Sequence, residues 1–121
     1  MSRPRYRVVN AVTGDTLLEH VERAANWWER GVGLLGRPAD RAGSGLWIVP
    51  CHGVHTFGMR FPLDIVVLDS QSRVLAVHWR VKPLRILLPR RGDHSVLEIP
   101  SGRLAPGAIC IGAHLRLDPE P

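Results

Sequence analysis

Lysine is almost absent from this chain: of its 16 basic residues only Lys82 is a lysine, and the rest are arginine. That skew reads as the codon bias of a GC-rich genome rather than selection for a polyanion. The formal net charge of +5 therefore serves solubility and encounter rate and does not by itself mark a nucleic-acid binder. Cysteine is scarce too. Cys51 and Cys110 are too few for a disulfide framework and lack the C-x-x-C spacing of a redox motif or zinc knuckle. No stretch approaches the roughly 18 consecutive apolar residues of a membrane helix, and Met1 to Gly14 has no apolar signal core. The expectation is a soluble, cytoplasmic protein with no membrane span. Internal repeats, low-complexity runs and linkers are also missing, so residues 1–121 read as one domain. At this length roughly two thirds of the unfolded surface is buried on folding, enough for a core without a metal or disulfide.

What is abundant is punctuation. The 12 glycines and 10 prolines cut the chain into short segments, the pattern of a β-rich domain with many turns. Arg5 to Val12 and Thr16 to Val21 flank a Thr13-Gly14-Asp15 turn and read as a hairpin. Glu22 to Arg30 carries good helix formers, with Val21, Ala25, Trp28 and Val32 on one face and Gly31 as the stop. Leu46 to Val49, Pro62 to Asp69, Val74 to Val81, Val96 to Ile99 and Ile109 to Leu117 read as strands, with an exposed loop over Lys82 to Asp93. The predicted fold is mostly β, α+β by count. It is a sandwich or barrel-like sheet of short antiparallel strands with one short helix near residues 22–31.

Two motifs dissolve on inspection. Gly31 to Gly36 spells G-x-G-x-x-G, yet it follows a predicted helix instead of joining a strand to one, so it cannot hold a pyrophosphate on a helix N-terminus. Arg91-Gly92-Asp93 matches an adhesion tripeptide by coincidence. Arg3, Arg5 and Arg7 read as one exposed strand face, and Trp27, Trp28 and Trp47 as packing aromatics.

The chemistry concentrates between Pro50 and Asp64, where a thiol, two imidazoles, an arginine and a carboxylate fall within fifteen positions. Cys51, His55 and Asp64 are the candidate catalytic residues, because thiol, imidazole and carboxylate are the types that serve as nucleophile, base and orienter or bind metal. In a straight strand Cys51 and His55 would share a face about 13 Å apart, and His52 would point away, so no metal ligand set is assigned. Asp64 lies inside an apolar run and must find donors, as a structural clamp or as a base. His55, Thr56, Phe57, Met59, Arg60 and Asp64 are the candidate ligand-binding residues. Between Asp69 and Asp93 there is no acidic residue, and Arg80, Lys82, Arg85, Arg90 and Arg91 form a candidate basic patch beside Trp79.

Four ordered segments carry a family resemblance: Trp28 to Arg37, Gly45 to Ile48, His55 to Asp64 and Val96 to Gly102. They resemble, in the same order, segments of the bacterial and archaeal domain-of-unknown-function family 192. The resemblance implies a compact, mostly β domain with one short helix, and it implies no activity. Where the family commonly ends in a Gly-Asp turn, this chain has Gly112-Ala113-His114, so no carboxylate role carries over there.

No acid, base or nucleophile pair has a spacing that enforces contact. The leading expectation is therefore a non-enzymatic accessory module that binds a small molecule or protein in a groove near residues 51–64, with no cofactor. The alternative is a metal-dependent or Cys/His hydrolase, and a nucleic-acid binder using the basic loop ranks third. Oligomeric state is open.

Overall fold

In the computed structural model, residues 4–24, 45–50, 54–55, 61–83 and 85–121 are described, with the backbone alone at 54–55. Apolar, largely branched segments between turn clusters form nine strands there: β1 (Arg5–Asn10), β2 (Thr16–Ala24), β3 (Leu46–Ile48), β4 (Val54–His55), β5 (Leu63–Leu68), β6 (Val74–Val81), β7 (Ile86–Leu87), β8 (Ser95–Pro100) and β9 (Leu115–Pro119). Seven of them make one open sheet in the order β6-β5-β8-β3-β2-β1-β9, and β4 pairs with β7 apart from it.

Two hairpins come straight from turn chemistry. Asn10 closes the β1–β2 turn by accepting the N–H groups of Val12 and Thr13 on Oδ1, at 2.9 and 3.1 Å. Asp69 does the same for β5–β6, accepting from Gln71 at 2.8 Å and Arg73 at 2.9 Å.

Three expectations need correction. Glu22 to Ala24 end strand β2 instead of opening a helix, since Val21 and Ala24 are buried in the sheet's two apolar clusters; residues 25–31 lie outside the described residues. No described residue is helical, and no helix among them is long and apolar enough to cross a membrane. The sheet is also mixed, because β2 and β3 run parallel with Glu22 opposite Leu46 and Ala24 opposite Ile48. Finally, the loop over Lys82 to Asp93 contains strand β7, which pairs antiparallel with β4.

The two ends of the strand order meet at one corner. Val74 N–H donates to Ala113 at 2.9 Å, Gly112 N–H to Val74 at 2.8 Å and Leu115 N–H to Ser72 at 3.0 Å. The Gly112-Ala113-His114 turn thus joins the start of β6 to β9, with Arg73 and His114 in a bridge.

Burial on both faces of the sheet explains why β5, Asp64 apart, is apolar throughout and not alternating. Leu63, Ile65 and Val67 project into one cluster with Ile48, Phe61 and Val96. Val66 and Leu68 project into the other with Leu97, Ile99, Val8 and Leu115, covered by Leu104 and Ile109. Trp47 packs at the edge of this second cluster, with Tyr6 edge-on at 5.1 Å and the Arg23 guanidinium 5.5 Å from its ring centre. Gly45 leads into β3 at a φ of 155°, where a Cβ would stand 2.9 Å from the Glu98 carbonyl oxygen. Backbone cannot yield there as a side chain can, so Gly45→Ala is expected to cost about 2 kcal/mol, read as a lower urea midpoint at unchanged slope.

Three described non-glycine residues take the left-handed conformation: His20 (φ 59°), Ser72 (φ 63°) and Arg80 (φ 53°). Each interrupts a strand or turn and would leave backbone donors without ladder partners. In each case a carboxylate accepts a donor at the irregularity. Glu120 takes the His20 N–H at 2.9 Å and its Nδ1 at 2.7 Å, Asp69 takes the Arg73 N–H beside Ser72, and Asp64 takes the Arg80 N–H at 2.9 Å.

The Arg73 N–H holds the Asp69 carboxyl below the usual range, and the His20 N–H does so for Glu120. A folded-state value below the unfolded one means stabilisation that is complete above the unfolded value and lost as pH falls through the folded one. The urea midpoint is therefore expected to be flat near neutrality and to fall below about pH 4. Asp69→Asn should shallow that acid limb, and an unchanged limb would remove Asp69 as its source.

Candidate functional site

Strand register brings the two most distinctive segments of the sequence together. β5 and β8 pair with Leu63 opposite Pro100 and Asp64 opposite Ile99. On the other side of β5, Leu63 faces Val81 and Ile65 faces His78, so Trp79 and Arg80 together oppose Asp64 in a bulge. Asp64 is 2% exposed. Its Oδ1 accepts the Arg80 N–H and the Ser101 hydroxyl, both at 2.9 Å, while the Ser101 N–H donates to Pro62 at 3.1 Å. Asp64 is thereby a clamp between the β6 bulge and the turn after β8. A buried carboxyl group hydrogen-bonded to donors from two different segments is positioned to fix structure.

A second buried acid was passed over in the sequence. Glu98 is fully buried on β8, opposite Leu46 and Ile65, and it too has an interaction partner. The signal was the same as for Asp64: a charge inside an apolar strand run.

The remaining candidates of the central segment are placed less fully. Cys51, Thr56, Phe57, Met59 and Arg60 lie outside the described residues. His55 is described in its backbone alone, which pairs with Ile86, and Val54 pairs with Leu87. That register sets the backbone of residues 54–55 beside the basic loop. Among the described residues no group of three or more His, Cys, Asp and Glu could hold a metal ion.

A groove of about 650 Å³ opens where the β4–β7 pair meets the main sheet. Val67 of β5, Ala76 and His78 of β6 and Val96 of β8 supply its sheet side. Ile86, Leu87, Leu88 and Pro89 supply the loop side, and Leu87 also packs against the first apolar cluster. Leu75, Arg90, Arg91 and Asp93 complete the lining. Ile86 is 59% exposed and Leu88 77%, an unusual amount of aliphatic surface for a two-residue strand and its flank.

The Arg90 N–H donates to Asp93 Oδ2 at 2.9 Å and the Asp93 N–H returns to the Arg90 carbonyl at 3.2 Å, which locks the turn. Among the described residues neither the Arg90 nor the Arg91 guanidinium has an ion-pair partner. Lys82 and Arg85 each have an interaction, Arg80 sits at the bulge, and only Arg90 and Arg91 of the basic run line the groove. No sequence spacing links Leu75 and His78 of β6 to Asp93 of the loop, so only the fold brings the three together.

A small mixed β-sheet with two apolar faces and an open groove lined in part by arginine defines the class of protein: a compact β-rich domain with a candidate binding groove. The model of the DUF192 family, described as "Uncharacterized ACR", matches residues 8–117, and the chain belongs to that family. No curated protein matches it. Among solved structures, a Sinorhizobium meliloti protein described as a candidate transcription regulator is similar at 24% identity. It has a TM-score of 0.71, and the match covers 97% of this chain and 96% of that one. A Novosphingobium aromaticivorans protein of unknown function is similar at 22% identity and a TM-score of 0.70, over 93% of this chain and 83% of that one. Both share the fold, and neither supplies an activity.

Proposed function

We propose that the protein is a non-enzymatic binding module and that the groove between β6 and residues 86–93 receives its small-molecule or protein ligand. The observation that carries this is the groove itself: its volume of about 650 Å³ lies in the usual range of small-ligand sites, and its lining combines an aliphatic surface with four polar or charged residues, His78, Arg90, Arg91 and Asp93. Asp64, the acid that a hydrolase would most need, spends Oδ1 on the Arg80 and Ser101 donors, which supports binding over catalysis.

The test uses Nile red, a neutral dye whose emission rises in apolar sites. Ala76→Phe fills the sheet side of the groove and Leu88→Gln, at a 77% exposed position, makes its mouth polar without touching the core. Both are expected to weaken dye binding at least fivefold, with Leu88→Gln leaving the melting temperature unchanged. Undiminished dye binding to both variants would remove the groove as the site.

A second reading has one specific support, the presence of Arg85, Arg90 and Arg91 on the same loop in a fold shared with a protein described as a candidate transcription regulator. It predicts duplex-DNA affinity that falls steeply with salt and is lost in Arg90→Gln/Arg91→Gln.

A further inference from the structure

We propose that the groove takes a small amphipathic anion, an apolar chain or ring system bearing one carboxylate, with the apolar part against Val67, Ala76 and Val96 and the carboxylate at Arg90 and Arg91. This rests on the groove being the binding site and names the class of its ligand.

Three features carry it. Val67, Ala76 and Val96 make most of the sheet side apolar, with His78 its one polar residue, so the ligand part that packs there is apolar. Arg90 and Arg91 line the same groove, their side chains have no ion-pair partner among the described residues, and a guanidinium is a planar donor fork suited to a carboxylate. Asp93, the one acid of the lining, has Oδ2 engaged by the Arg90 N–H in the turn, and two arginines against one aspartate leave the local formal charge positive. A cationic ligand would meet two arginines, a neutral one would leave both idle, and a compact polar phosphate would leave the aliphatic surface wet. The volume admits a chain of about ten carbons.

The same surface chemistry, aliphatic Ile86 and Leu88 beside arginines, would also suit an anionic lipid surface, and the experiment separates the two sources. Binding is measured by calorimetry on the full chain with octanoate, decanoate, decanol and decylamine, all below their micelle concentrations. Vesicles of phosphatidylglycerol form a fifth arm. Two methylenes at about 0.8 kcal/mol each predict decanoate tighter than octanoate by more than tenfold. Decanoate is expected to exceed decanol by about three- to fivefold, with decylamine weakest. Arg90→Gln/Arg91→Gln should erase the decanoate preference and leave decanol affinity and the melting temperature unchanged.

Equal affinity for decanoate and decanol overturns the anion assignment while leaving the groove as an apolar site. Binding to vesicles without binding to monomeric decanoate overturns it in favour of a membrane face. Failure of every probe, Nile red included, overturns both the ligand class and the binding role.

Discussion

Asp64→Ala is expected to lower the unfolding free energy by about 3 kcal/mol and the melting temperature by roughly 10 °C. Alanine removes the acceptor of two donors at 2.9 Å, the Arg80 N–H and the Ser101 hydroxyl, from a site that is 2% exposed. Both bonds are part-buried, with Asp64 itself inside the wall, so their loss leaves the bulge and the turn without their shared acceptor, and Arg80 stays in a left-handed conformation that costs about 1 kcal/mol without compensation. Asp64→Asn should cost less, since an amide oxygen can occupy the Oδ1 position. Ser101→Ala alone should cost about 1 kcal/mol and add little on top of Asp64→Ala, because the pair shares one interaction. A catalytic base kept at the expense of stability would behave in the opposite sense, with substitution neutral or stabilising. Urea unfolding of the four proteins distinguishes the two, and a stabilised Asp64→Ala would end the clamp assignment.

Much of the sheet was legible because its signals are local. The β5–β6 hairpin follows from an apolar run, a four-residue polar turn and a second run, and Val74 to Val81 forms β6 with the bounds read from sequence. The demand that Asp64 find donors was legible as well, since an ionised carboxylate inside Leu63 to Leu68 admits few alternatives. Which donors would answer was not, for they come from a bulge sixteen residues on and a turn beyond β8. The Glu22 to Ala24 stretch misled because helix-forming residues there pair instead with Leu46 to Ile48 in a parallel register, and long-range burial overrides local propensity. The groove was invisible for the same reason. Arg90 and Arg91 stood out as charges, but the partners that turn them into a site's rim, Val67 and Ala76, belong to strands identified only as core.

Two leucines, Leu88 on that groove and Leu97 in the core behind the sheet, show how burial separates stability from function. Leu97 is fully buried at the centre of β8, opposite Trp47 on β3 and Val66 on β5. Leu97→Ala leaves a cavity between strands held by ladder bonds on both sides, which prevents collapse, so a loss of about 3–4 kcal/mol is expected. Leu97→Met keeps most of the volume and should cost about 1 kcal/mol. Leu88 is 77% exposed, and its replacement by alanine removes almost no area that folding buries. Its stability change should stay within about 0.5 kcal/mol. Its effect belongs to the ligand: if Leu88 covers a bound chain, truncation should weaken decanoate several-fold while the urea midpoint stays fixed. Leu97→Ala should do the reverse at temperatures where it remains folded, leaving ligand affinity intact because it projects into the second apolar cluster, away from the groove lining. Measuring midpoint and affinity on both variants tests the two assignments together: a Leu88 variant that loses stability, or a folded Leu97 variant that loses ligand, would mean that groove and core are not the separate faces the strand register describes.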